Sequence, residues 1–160
     1  MFFSKRRIGL ISFTTFCSLL LLAASVSAAP SKYYSVGGED VAKYVRSIEG
    51  RKAIMIYATW CGYCRKALPK VIAIARSNPG KLIAVSVDQD PSSVRDYFAG
   101  YLDIPFPIMV HNKGISIERA FRVPDKKGVP HYLLIDEKGR VVRSATMSPA
   151  AVQEFLSGGS

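Results

Sequence analysis

The chain has 160 residues, about half of them hydrophobic, which fits a single domain with an ordinary packed core. Its 22 Lys and Arg outnumber its 12 Asp and Glu, for a formal net charge of +10. No sequence period of about 20 to 50 residues recurs, which excludes solenoids and propellers.

The chain opens with Lys5, Arg6 and Arg7 and no acid, followed by an apolar run from Ile8 that is densest at Leu19 to Ala24. Val26-Ser27-Ala28 then places small residues where a signal peptidase reads them, so residues 1–28 are expected to be a secretory signal cut after Ala28. Ile8 to Ala29 is also long enough to cross a bilayer as an uncleaved anchor. The Ser and Thr that interrupt it, and its A-x-A-like end, favour cleavage. Cys17 lies in this run without the small residues that precede a lipoprotein cysteine. Cleavage removes three basic residues and no acidic one, leaving +7. That surplus reads as a solvated basic face. No Lys/Arg run longer than two and no aromatic-basic stripe follows residue 28, so nucleic acid is not an expected partner. Weak attraction to anionic lipid or an acidic partner is the alternative.

Residues 29–38 read as a tail with a short strand at YYSV, broken by Gly37-Gly38. EDVAKYVRSI places Val41, Tyr44, Val45 and Ile48 on one helical face, with acids in the first turn. KAIMIYAT is apolar without alternation, the pattern of a central buried strand. CGYCRKALPKVIAIARS reads as a helix whose inner face is Leu68, Val71, Ile72 and Ala75, stopped by Asn78-Pro79-Gly80. KLIAVSVD is a second buried strand. Asp90 and Pro91 cap the next helix, with Val94, Tyr97, Phe98 and Tyr101 on its apolar face. FPIMV (106–110) is a short strand leading into a turn at His111-Asn112-Lys113-Gly114, and ISIERAF a weak short helix. HYLLIDEKGRVVRSA is a hairpin with Gly139 able to take positive φ. Ser148 and Pro149 start a last helix facing inward through Val152, Phe155 and Leu156, and residues 158–160 fray. The order βαβαβαβαββα predicts one layered α/β domain over 39–157, with a mostly parallel sheet and an antiparallel edge.

Cys61 and Cys64 remain after residue 28 as a C-x-x-C pair between a buried strand and a helix. A helix start stabilises the first thiolate, the attacking species in disulfide exchange, and brings the second cysteine within reach of a disulfide. It also exposes the first sulfur and hides the second. A zinc site needs about four ligands, and only His111 and His131 add to the two cysteines. Haem attachment fails because Arg65 stands where His is needed. A structural staple and copper binding stay open, with a reactive redox pair favoured.

Ala58-Thr59-Trp60-Cys61-Gly62-Tyr63-Cys64, with Pro69 following, resembles the active-site segment of the thioredoxin-like superfamily. Gly128-Val129-Pro130 before HYLLIDEKGRVV resembles its loop and hairpin, and the segment from Val87 to Val123 is similar to the strand–helix insertion of the TlpA/ResA branch of thiol-disulfide oxidoreductases. The resemblance implies an α/β/α sandwich with a mixed central sheet, the insertion preceding a loop whose Val129–Pro130 bond is cis. It implies a redox-active Cys61–Cys64 disulfide, with Trp60, Gly62, Tyr63, Val129 and Pro130 as supporting or substrate-contact residues. No cofactor and no metal is implied. The expected partners are protein thiols and a dithiol electron-transfer protein in the membrane, and the expected state is a monomer in an extracytoplasmic space. Ala67 and Met55 stand where relatives carry carboxylates that take a proton from the second cysteine, and Gly62-Tyr63 also occurs in periplasmic isomerases. Reductant is the first reading, for cytochrome c maturation or misoxidised envelope proteins. Oxidant or isomerase is the second, and a non-catalytic copper- or partner-binding module the third. His131 is read as a strand-end residue, with proton handling the alternative.

Overall fold

The computed structural model describes residues 33–125 and 128–159. The expected signal or anchor, residues 1–28, lies outside them. In chain order the elements are β1 (Tyr33–Val36), α1 (Gly38–Arg46), β2 (Lys52–Tyr57), α2 (Gly62–Ser77), β3 (Leu82–Ser86), α3 (Pro91–Phe98), β4 (Ile108–His111), α4 (Ile117–Ala120), β5 (His131–Ile135), β6 (Val141–Ala145) and α5 (Pro149–Leu156). They form one six-stranded sheet in the order β1-β4-β3-β2-β5-β6. β1, β4, β3 and β2 run parallel; β5 is antiparallel to β2, and β6 to β5.

The apolar run of β2 has a simple cause: both faces of the strand are covered. Ala53, Met55 and Tyr57 pack in the cluster that holds Leu68, Val71, Val94 and Val152, from α2, α3 and α5. Ile54 and Ile56 pack in a second cluster with Val41, Val45 and Ile117, from α1 and α4. Successive side chains point to opposite faces, so a strand between two helical layers has no polar side to show. The result is the thioredoxin-like α/β/α sandwich with a mixed sheet.

Several local readings change. The short strand expected at YYSV is present as β1, paired with β4 from Tyr33↔Ile108 to Val36↔His111, so that part of the tail belongs to the sheet. β4 begins at Ile108, two residues later than the pattern suggests; Pro107 has no N–H to give to a ladder, and Phe106 is buried ahead of the pairing. Tyr44 faces solvent, and Ala42 takes the inward place beside Val41 and Val45. Gly38 meets α4 so closely that a Cβ there would lie 2.3 Å from the Ser116 carbonyl oxygen. Helix α4 is a single turn capped by the Ser116 hydroxyl, which accepts the Arg119 N–H.

Candidate active site

Strand β2 ends at Tyr57, and four residues carry the chain from the sheet to α2. Cys61 is the N-cap of α2, where helix N–H groups have no partner in the helix. The Cys64 N–H donates to Cys61 Sγ at 3.1 Å, so one of those groups is aimed at the first sulfur. The two cysteines form a disulfide with their Cα atoms 5.2 Å apart. Cys61 is 7 % exposed and Cys64 1 %. Cys61 is therefore the more exposed of the two but only narrowly open, with the loop leading into β5 beside its sulfur.

That loop holds the other expected residues. The Val129–Pro130 bond is cis, Gly128 has φ +96°, and the Val129 carbonyl oxygen lies 3.3 Å from Cys61 Sγ. Trp60 and Tyr63 flank the sulfurs at 69 % and 78 % exposure, a large apolar area to leave in water. Gly62 has open space around it: a Cβ there would meet nothing within 4 Å. His131 is buried, and its Nε2 lies 2.9 Å from the Ser144 hydroxyl on β6, which fastens it to the neighbouring strand. His111 Nε2 lies 2.9 Å from the Ile115 carbonyl oxygen, across the turn after β4. Met55 is in the core beneath α2 and Ala67 packs against it at half burial, so both carboxylate positions of the relatives are apolar here.

One polar residue of the site is missed by the sequence reading. Asp88, just past β3, is buried, and its carboxylate accepts the Thr59 N–H at 2.9 Å and the Thr59 hydroxyl at 2.7 Å. The Ser86 hydroxyl donates to it as well. Beside it, burial pushes the Tyr57 phenol far above its ordinary range, and the Asp88 charge adds to the effect. Among the described residues no three His, Cys, Asp or Glu side chains gather as a metal site would require, and no helix is long and apolar enough to cross a membrane.

The family model described as Redoxin matches residues 28–152. The thioredoxin-like protein YneN of Bacillus subtilis (strain 168) is 27 % identical over 120 residues, covering 70 % of this chain and 67 % of that protein. The chain spans about a quarter of the length of the plant protein disulfide-isomerases it also matches. Among solved structures, a thiol:disulfide interchange protein of the thioredoxin family from Chlorobium tepidum superposes with a TM-score of 0.60 at 19 % identity, over 85 % of this chain and 99 % of that one. A secreted Mycobacterium tuberculosis disulfide oxidoreductase, homologous to Escherichia coli DsbE, gives 0.55 at 17 % identity, over 71 % and 85 %. Likeness at such identities speaks for the fold; the matched family and the closed C-x-x-C disulfide speak for the chemistry. The chain belongs to the Redoxin family, as a thioredoxin-like thiol-disulfide oxidoreductase.

Proposed function

We propose that this protein is an exported disulfide reductase that returns oxidised protein thiols of the cell envelope from disulfide to dithiol, with Cys61 attacking and Cys64 resolving. The observation that carries this assignment of roles is the asymmetry of the pair. Cys61 holds the helix N-cap, receives the Cys64 N–H at 3.1 Å and is the more exposed residue of the two, while Cys64 is almost fully buried. A thiolate is stabilised where helix N–H groups converge, and the thiolate is the attacking species.

The exchange balances in two steps. Cys61 thiolate attacks one sulfur of a partner disulfide, forming a mixed disulfide and releasing the other partner sulfur as a thiolate. Cys64 then loses its proton and attacks Cys61 Sγ, forming the Cys61–Cys64 disulfide and releasing the second partner thiolate. The partner gains two electrons and, after protonation, two protons; the enzyme dithiol loses the same. A membrane-bound dithiol protein returns the electrons. Trp60 and Tyr63 offer the partner apolar contact, and the Val129–Pro130 loop beside the sulfurs offers backbone groups to an extended segment. Candidate substrates are apocytochrome c thiols oxidised to a disulfide and misoxidised envelope proteins. The similarity of the insertion to the TlpA/ResA branch supports the reductant direction, and the basic, apolar, small-residue N-terminus supports export.

Insulin-disulfide reduction tests the activity. Wild type is expected to turn over, and Cys61→Ser to lose at least about a thousandfold, the scale expected when an attacking nucleophile is removed. Equilibration with glutathione tests the direction. A potential well above the poise of the compartment turns the assignment to oxidant or isomerase, the second reading favoured by Gly62-Tyr63 and by the absent carboxylates at 55 and 67. Stoichiometric Cu(I) uptake without turnover would favour a binding module. Sequencing the N-terminus of exported protein checks the cut after Ala28.

A further inference from the structure

A chain of hydrogen bonds leads from β3 to the loop that presents Cys61. The β2–β3 ladder ends at the pair Tyr57↔Ser86, and the Val87 N–H still donates to the Tyr57 carbonyl at 2.8 Å. Beyond that point Thr59 has left the sheet, and no backbone carbonyl of β3 receives its N–H. Asp88 takes the place of one: Oδ2 accepts the Thr59 N–H at 2.9 Å and Oδ1 the Thr59 hydroxyl at 2.7 Å. The Ser86 hydroxyl donates to Oδ2, and the Asp88 N–H donates back to the Ser86 oxygen at 3.0 Å. The side chain thus extends the ladder by one step and fixes the loop two residues before the first sulfur.

A neutral amide could do much of that work, since its oxygen also accepts an N–H. A carboxylate brings a charge as well, and here it is 3 % exposed and in no ion pair among the described residues. Burying a charge without a cation is costly even with good hydrogen bonds. That cost is informative because of where the charge sits. Turning the Cys61–Cys64 disulfide into a dithiol places a second negative charge, the Cys61 thiolate, two residues along the chain from Thr59, whose N–H and hydroxyl Asp88 holds. Like charges disfavour one another strongly where water is excluded. The helix end and the Cys64 N–H favour the thiolate, as does Arg65 one turn along α2, and Asp88 opposes them. From β2, Tyr57 stays protonated and adds no charge; from α3, Tyr97 is likewise held above its ordinary range, chiefly by burial. From β5, His131 is turned to Ser144.

We infer that Asp88 is a positioning residue for the reactive cysteine and also a bias on its redox balance, holding the loop through Thr59 while its charge disfavours the Cys61 thiolate and so favours the disulfide over the dithiol. This rests on the reading of Cys61 and Cys64 as an exchanging pair. The residues at 55 and 67 are apolar and bring no charge to the site; the Asp88 carboxylate, just past β3, acts instead through the loop that carries Cys61. A less stabilised dithiol is the stronger reductant.

The test compares Asp88→Asn with Thr59→Val in the full chain. Asp88→Asn keeps the shape and removes the charge. It is expected to lower the pH at which the Cys61 thiolate appears by about one unit, and to move the exchange constant with glutathione about fivefold toward the dithiol. Thr59→Val removes one hydrogen bond but keeps the charge and the N–H, and both readouts are expected to stay within about twofold of wild type. If both variants lose stability and neither moves the thiolate titration or the exchange constant, Asp88 is only a structural residue and the inference is wrong. Should Asp88→Asn fail to fold, wild type with isotope-labelled aspartate decides: the Asp88 carboxyl resonance should inflect as Cys61 titrates in the dithiol protein and not in the disulfide form. No inflection would overturn the bias. Wild type that does not exchange with glutathione at all removes the reaction itself, a different failure from an exchanging protein insensitive to Asp88.

Discussion

At the scale of single residues, the site contrasts polar groups that are fully paired with one that is not. Asp88 meets three donors, whereas the Tyr57 hydroxyl on the neighbouring strand is buried with no hydrogen-bond partner among the described residues. The Tyr57 ring packs edge-on against Phe98, with centroids 6.3 Å apart, and that packing does not involve the oxygen. Tyr57→Phe should therefore keep the packing and remove an unpaired buried dipole, raising stability by about 1 kcal/mol. A higher urea midpoint with unchanged slope checks this, and a drop of similar size would mean that the oxygen has a partner after all. The two kinds of residue also differ in how far sequence could reveal them. Cys61 and Cys64 are three residues apart, and their chemistry is written in local spacing. Asp88 lies 29 residues from Thr59, and at the end of KLIAVSVD it reads only as the last letter of a strand. Its role depends on β2 and β3 being adjacent and in the register Tyr57↔Ser86, which a single sequence does not specify.

Among the elements, those with strong patterns are legible and those that depend on a neighbour are not. Buried β2 and β3, amphipathic α2 and the closing hairpin all appear where periodicity and turn residues place them. Tyr44 turns outward because the apolar stripe of α1 is narrower than its sequence allows, and the short strand read at YYSV does not itself name its partner, β4. The hairpin also has an electrostatic clasp. Asp136 accepts the N–H groups of Lys138 and Arg140 at 3.0 and 2.8 Å and the Arg140 Nε at 2.9 Å, while Gly139 takes φ +77° to close the turn. The Arg140 N–H, first among these, then its side chain and charge, hold the Asp136 carboxyl below its ordinary value of 3.8. A folded value below the unfolded one means that the clasp contributes fully above about pH 4 and is lost as pH falls through the lower, folded value. Thermal unfolding of wild type should thus weaken on acidification below pH 4 more steeply than that of Asp136→Asn, which has no such proton to take up. Parallel acid profiles for the two proteins would show that the clasp does not couple to folding.

Over the whole molecule, the surplus of positive charge is not spread evenly with respect to the sulfurs. Helix α2 contains no acidic residue, and its exposed side beside the disulfide carries Arg65, Lys66 and Lys70. None of these is in an ion pair among the described residues; the pairs that exist tie down the turns at Arg51–Glu137, Lys113–Asp40, Arg119–Asp125 and Arg140–Asp136. Arg65, in the first turn, also runs against the helix dipole, so local helix stability does not account for it. Together with Trp60 and Tyr63 these cations make the rim of the site apolar at the sulfurs and positive behind them. Charges arranged in this way act mainly on the rate of encounter and on the choice of partner. Two disulfide-bonded peptides, identical around the cystine and flanked by either Glu or Lys, should therefore be reduced at different rates. The acidic one is expected to be faster by about tenfold at low ionic strength, with the ratio falling toward one near 1 M salt, where the screening length is about 3 Å. Lys66→Glu combined with Lys70→Glu should shrink or invert the ratio at low salt. Equal rates for the two peptides at low ionic strength would return the positive surplus to the role of a solvated face, and a preference that salt does not weaken would place the discrimination in direct contacts at Trp60 and Tyr63 and not in the field of α2.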